Sequence, residues 1–200
     1  MHHSYEYIDS DSTYTYPGTN VLRNLADITD PSDLLFFESV AVIKRAKELE
    51  IHPVKIKNAA SLLEIHRYLF QDVYQWAGQK RTIEISKQGK PFIMTKYFEK
   101  SFSYINTLIA NYREIDSSEK PQLARQLAIL LDNINFLHPF REGNGRAQRE
   151  FIRLLALEKG YSLNLNPPDN LDVYERYMSG SIEGDVEKFT ALIMELMQQI

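Results

Sequence analysis

Apolar residues recur at helical spacing along most of this chain. Leu34, Leu35, Val42, Ile43 and Leu49 mark a long first helix. Asp30-Pro31 opens it, with Asp30 as cap and Pro31 in the first turn, and it ends before Pro53. A second helix follows Asn58 and carries Leu62, Leu63, His66, Leu69, Phe70, Val73 and Trp76. A third runs from Tyr97 to Tyr112. Ser117 to Leu137, with Pro121 in its first turn, sets Leu123, Leu127, Leu130, Ile134 and Leu137 on one face. Ala147, Phe151, Leu154 and Leu155 repeat the pattern in a helix that stops at Gly160, and beyond Pro167-Pro168 two shorter helices are expected at 170–179 and 185–199. The fold class is therefore mostly α, a helical bundle.

Two stretches break the period. In residues 81–95, Ile83 and Ile85 alternate with polar neighbours and Gln88-Gly89-Lys90 signals a turn, so a β-hairpin is expected. A small hairpin alone is marginally stable, and its presence in a helical protein invites a functional explanation. Residues 1–30 are polar and aperiodic, with Tyr5, Tyr7, Tyr14 and Tyr16. They read either as an extended arm packed across the domain or as a partly disordered tail. No internal repeat or low-complexity segment appears, and 200 residues suit one domain spanning 1–200.

Composition excludes several functions. A formal charge of -4 and a pI near 5.8 argue against direct nucleic-acid binding. There are no cysteines, hence no disulfide or thiol chemistry. No apolar run is long enough to cross a membrane and no signal-peptide core is evident. A cytoplasmic protein is expected, or one secreted into a host cytosol if it acts as an effector. His2 and His3 are too few for a metal site.

The chemistry concentrates in His138-Pro139-Phe140-Arg141-Glu142-Gly143-Asn144-Gly145-Arg146-Ala147-Gln148-Arg149, between the two core helices. Pro139 stops the first of them, holding His138 at a helix end. Gly143 and Gly145 allow positive φ and close approach of backbone N–H groups to an anion, where the next helix begins. Arg146 and Arg149 are neighbours on that helix, with guanidinium forks suited to phosphate. Glu142 can hold Mg²⁺, which usually takes one or two carboxylates plus substrate phosphates. His138 can take a proton from a hydroxyl near neutral pH. Its place at a helix C-terminus favours the protonated ring, so activity is expected to fall below pH ~6.5. Gln148 stands where a dinucleotide fingerprint needs its third glycine, and no Gly-x4-Gly-Lys-Ser/Thr loop exists. A hydrolase metal pair of His138 and Glu142 has no further histidine cluster to support it. The set reads as phosphoryl-type transfer from a Mg-nucleotide.

This stretch resembles the Fic signature, His-Pro-Phe-x-Asp/Glu-Gly-Asn-Gly-Arg-x-x-Arg, with every fixed position matched. Tyr16-Pro17-Gly18-Thr19, His66-Arg67-Tyr68-Leu69-Phe70 and Trp76-Ala77-Gly78 are similar to other blocks of Fic toxins and effectors. The resemblance implies a Fic fold and an AMP transferase that moves adenylate from ATP to a Tyr, Ser or Thr hydroxyl of a target protein. It implies His138 as base and Glu142 as Mg²⁺ ligand. Gly143, Asn144 and Gly145 would form the anion turn, with Arg146 and Arg149 on the β- and γ-phosphates. It implies that the hairpin is a flap whose Ile83, Glu84, Ile85, Ser86 and Lys87 place the target by strand addition. Tyr174 and Tyr177 fall near the adenine pocket, where base contact and core packing both fit. His66 reads as structural.

Within the family, a Doc-like kinase would replace Gly145-Arg146 with a different turn, so AMP transfer is preferred. Phosphocholine transfer is a further family variant, and a non-catalytic nucleotide-binding scaffold would not need His138. The resemblance also implies regulation through a glutamate of a Ser/Thr-x-x-x-Glu-Gly/Asn segment that occupies the second arginine. Ser179-x-x-x-Glu183-Gly184 matches formally, yet lies at a turn inside the core. Silencing in trans by a small antitoxin that supplies the glutamate is therefore expected, with a type II topoisomerase subunit as the class-level target.

Overall fold

The computed structural model describes residues 6–7 and 13–200, except 88 and 168. His2, His3 and Tyr5 of the arm, Gln88 of the turn and Pro168 therefore lie outside the described residues. Seven α-helices among them are α1 (Pro31–Ile51), α2 (Ser61–Phe70), α3 (Phe98–Glu114), α4 (Lys120–Leu137), α5 (Asn144–Glu158), α6 (Leu171–Glu183) and α7 (Val186–Leu196). Short strands β1 (Glu6–Tyr7), β2 (Ile85–Lys87) and β3 (Lys90–Pro91) form one sheet, and β4 (Tyr161–Ser162) pairs with β5 (Gln198–Gln199) in another.

Helix α4 is the axis. Leu123, Ala124, Leu127, Ala128, Leu130, Leu131 and Leu137 are fully buried, because α3, α5 and α7 all pack on it. Helix α2 lies on α5 and also packs against α1. The Asp30 carboxylate caps α1, accepting the amides of Ser32 and Asp33 at 2.8 and 3.0 Å.

Several expected boundaries move. Helix α2 stops at Phe70 rather than running to Trp76, since Val73 and Tyr74 turn back with amides on the Phe70 carbonyl. That turn drives Tyr74 into the core with Trp76 stacked on it at 4.3 Å. Helix α4 starts at Lys120 rather than Ser117, because the Asp116 carboxylate accepts the Ser118 amide at 2.8 Å and holds the preceding residues in a turn. The final helix ends at Leu196, and residues 198–199 pair with β4 instead.

Residues 13–30 form an ordered clasp. Tyr14 is buried, its hydroxyl accepting the Thr82 amide at 3.1 Å, and the Asn24 side chain ties the carbonyls of Leu22 and Ile28. The expected hairpin exists as β2 and β3, paired Ser86 to Pro91 and Lys87 to Lys90. Its other side is also occupied: β1 pairs with β2, Glu6 opposite Ser86 and Tyr7 opposite Ile85.

Candidate active site

Helix α4 ends where Pro139 forbids a further turn, and His138 as its C-cap takes φ 44 and ψ 61, a left-handed conformation. Only Asp27 shares positive φ among the described non-glycine residues. Such strain costs on the order of 1–3 kcal/mol and persists only where surroundings fix it. Here Asn144 helps to fix the loop: its side chain accepts the Phe140 amide at 2.9 Å and donates to the Phe140 carbonyl at 2.8 Å. Gly143 caps α5 with φ 78, and a Cβ there would sit 2.3 Å from Cζ of Phe70. Gly143 thus needs to be glycine for both conformation and space. Gly145 does not use positive φ as expected, since it is helical; a Cβ there would approach the Arg149 guanidinium at 3.2 Å.

The His138 ring is 5% exposed. Its Nδ1 lies 3.1 Å from the Asn135 carbonyl, which can only accept, so Nδ1 carries the proton and Nε2 keeps the lone pair. Phe92, just past β3, stacks on the ring with centroids 3.8 Å apart. Burial pushes the imidazole down to about 3; the Asn135 bond opposes this, and the charges of Lys87 and Arg81 reinforce it. This overturns the expected acid limb near pH 6.5: desolvation outweighs the helix C-terminus, and the ring is neutral across the physiological range.

One cleft of about 1010 Å³ gathers His138, Glu142, Gly143, Gly145, Arg146 and Arg149. Asn144 is 2% exposed and does not line the cleft; its side chain is turned inward on Phe140, where it fixes the loop. Glu142 accepts the Gly143 amide at 2.9 Å, and its side chain is 30% exposed. Tyr174 and Tyr177 also line the cleft, with the Arg149 guanidinium 5.8 and 4.9 Å from their ring centres. Tyr177 is buried and its hydroxyl receives the Gln148 amide, whereas Tyr174 is 37% exposed. Among the described residues no group of three or more His, Asp or Glu side chains could cage a metal. A hard cation here would rest on Glu142 and on phosphates of a ligand, the arrangement Mg²⁺ commonly takes.

Of the five flap positions, only Lys87 lines the cleft. Ile85 is buried in the core, and Glu84 accepts from Thr95 at 3.0 and 2.8 Å and from Arg81 at 3.2 Å. Ile83 and Ser86 are half-buried. Glu183 sits in the last turn of α6, bound to Lys188 at 2.6 Å and Ser179 at 2.7 Å, and makes no ion pair with Arg149 among the described residues.

Residues outside the motif complete the site. Arg81 is buried and donates to the carbonyls of His138 at 2.9 Å and Ile83 at 2.6 Å, while its own amide bonds the Pro139 carbonyl at 2.7 Å. It welds the flap base to the motif loop. His66 accepts the Gly78 amide on Nδ1 and donates from Nε2 to the Glu142 carbonyl, both at 2.9 Å, between Phe70 and Phe140. Glu38 of α1 pairs with Arg146 at 2.6 Å and accepts the Tyr74 hydroxyl. Glu38 was detectable as a lone carboxylate in the buried stripe Leu34, Glu38, Val42, Leu49; Arg81 and Tyr74 carry no comparable local signal.

The family model described as Fic/DOC family matches residues 57–156. The chain is 38% identical over 171 residues to "Probable protein adenylyltransferase y4lH" of Sinorhizobium fredii, covering 84% of this chain and 88% of that one. It is 35% identical to "Probable protein adenylyltransferase Fic" of Escherichia coli, with 76% of this chain and 75% of that protein covered. It is 32% identical to protein adenylyltransferase VbhT of Bartonella schoenbuchensis over 94% of this chain, though that match spans 39% of VbhT. In fold it is similar to the BepC effector of Bartonella tribocorum, solved with AMPPNP, at a TM-score of 0.81 and 23% identity, covering 94% and 98% of the two chains. Signature loop, helical frame and relatives agree: the chain belongs to the Fic/DOC family.

Proposed function

We propose that this protein transfers AMP from Mg-ATP to a Tyr, Ser or Thr hydroxyl of a target protein and releases pyrophosphate. The observation that carries this is the single cleft, which joins a neutral, tautomer-fixed His138 to the α5 N-terminus and two arginines. Nε2 of His138 takes the hydroxyl proton as the oxygen attacks the α-phosphorus. The α–β phosphoanhydride bond breaks, and the pyrophosphate leaves toward Arg146, Arg149 and the amides that open α5. Glu142 would hold Mg²⁺, which when bound offsets phosphate charge during the transfer. Tyr174 borders the adenine, and Tyr177 supports Arg149 from below. Target engagement by strand addition to β2 requires the short β1 pairing to open, because β1 holds that edge.

Restraint comes in trans. Glu183 is committed to Lys188 and Ser179, and α1 exposes Phe36, Val40 and Ile43 next to Leu35 of the cleft wall. A small partner helix covering that apolar face can bring a glutamate to Arg149. Glu183→Gly should leave auto-labelling nearly unchanged; a large gain would make Glu183 an internal brake.

Two labelled nucleotides test the chemistry. Protein labelled from α-³²P-ATP but not from γ-³²P-ATP is the expected result. Label from the γ position alone would mean a Doc-like kinase, and label from neither a binding scaffold. Mass spectrometry of expressing cells for an added adenylate, type II topoisomerase subunits included, identifies the target.

A further inference from the structure

Glu38 stands on α1, remote in sequence from the signature, with a side chain only 8% exposed. A buried carboxylate is costly unless it is paired. Two donors meet it: an Arg146 N–H at 2.6 Å on Oε1, and the Tyr74 hydroxyl on Oε2. Tyr74 is itself 2% exposed and held between Trp76 and Phe70, with ring centroids at 4.3 and 6.1 Å. Arg146 lies over the Phe70 ring at 4.6 Å and turns a second nitrogen toward Glu142 at 3.7 Å. Glu38, Tyr74, Glu142 and Arg146 all reach the wall of the same cleft.

A guanidinium is planar and rigid, so anchoring one of its edges sets the direction of the rest. We propose that Glu38 is a positioning residue for the nucleotide's polyphosphate: it anchors Arg146 so that the remaining N–H groups face the phosphates, and Tyr74 orients Glu38. The proposal rests on the reading of Arg146 as a phosphate ligand. An arginine without this anchor would have to be ordered by the ligand, at a cost in side-chain entropy that lowers affinity. That loss should appear with the β- and γ-phosphates and be absent from AMP.

The test is calorimetric titration with AMPPNP and with AMP, in Mg²⁺, of wild type, Glu38→Gln, Tyr74→Phe, Arg146→Ala and the Glu38→Gln/Arg146→Ala pair. Glu38→Gln should weaken AMPPNP ~10-fold and change AMP by less than ~2-fold. Tyr74→Phe should act in the same direction, about 3-fold. In turnover, the KM for ATP should rise with Glu38→Gln while kcat at saturation stays within about 2-fold. On the Arg146→Ala background, Glu38→Gln should add nothing, because the two act as one unit.

If Glu38→Gln leaves AMPPNP affinity intact while Arg146→Ala weakens it, the positioning role is wrong and the phosphate reading survives. If Arg146→Ala itself has no effect, that reading falls as well. Equal loss of AMPPNP and AMP means local collapse and overturns the proposal. Tighter AMPPNP binding by Glu38→Gln also overturns it, since the carboxylate would then compete with phosphate for Arg146.

Discussion

Lowering the pH from about 7 to about 5 should remove stability through two buried histidines. His66 and His138 are both held neutral, their rings pushed from 6.5 down to about 3, with burial the first cause in each. For His66 the hydrogen bonds agree, since a second proton on Nδ1 would break the bond from the Gly78 amide. In the unfolded chain both rings protonate near 6.5. The unfolded state therefore binds more protons than the folded state throughout the window from 6.5 down to 3. The stability these rings supply is complete above 6.5 and is lost as pH falls toward 3. Each ring gives a slope of about 1.36 kcal/mol per pH unit, so about 1.5 units below 6.5 the pair removes ~4 kcal/mol. That is a large share of the roughly 5–15 kcal/mol typical of a domain. Glu48 and Asp72, lowered by Arg45, act in the same sense, but only below their unfolded values of 4.5 and 3.8. Asp132 acts in reverse: burial raises its carboxyl, so the folded chain takes that proton first and offsets part of the loss. Urea unfolding followed by circular dichroism at several pH values and fixed ionic strength measures the slope. A stability constant within about 1 kcal/mol across the window would refute this reasoning, as would a slope undiminished in His66→Gln/His138→Ala.

Removing the base by His138→Ala should cut transfer ~10²–10⁴-fold and leave nucleotide binding in place; normal labelling would contradict its role. Wild-type activity should hold well below pH 6.5, and Phe92→Ala, which uncovers the ring, should move the acid limb of the rate profile upward. An unmoved limb would show that Phe92 does not shield the base. Arg149→Ala should raise the nucleotide KM, whereas Glu142→Ala should lower kcat and flatten the response to Mg²⁺; the same kinetic pattern in both would dissolve that division. Gly143→Ala should lower stability by ~2–4 kcal/mol, from positive φ and collision with Phe70. Gly160→Ala, with φ 81 but nothing within 4 Å, should cost only ~1–2 kcal/mol in thermal melts, and equal losses would refute the collision.

Local chemistry was legible in the sequence. The Asp30 cap, the α4 stripe and the loop from His138 to Arg149 depend on neighbours a few residues apart, and the residue types declare themselves. The long-range members were not. Glu38 meets Arg146 only because α1 and α5 both pack on α2, and the turn after Phe70 brings the Tyr74 hydroxyl to the same carboxylate. Arg81 joins the flap to the motif through backbone carbonyls, which no side-chain pattern encodes. The stretch after Phe70, with Val73 and Trp76 still at helical spacing, is as compatible with helix as with turn, hence the expected continuation of α2 to Trp76. The electrostatic error at His138 has the same origin: a helix terminus can be read from sequence, but the Phe92 ring lying across the imidazole cannot.

The two hydrogen bonds between the Asn144 side chain and the Phe140 backbone have a consequence for how fast a nucleotide is captured. They close residues 140–144 into a covalent-and-hydrogen-bonded ring without help from any ligand. Ordering of that loop belongs to folding, and an arriving triphosphate meets an α5 N-terminus already in place. Capture should then be a single encounter, its observed rate rising in proportion to nucleotide concentration with no plateau. Opening the ring would insert a slow rearrangement before tight binding, visible as a rate that saturates.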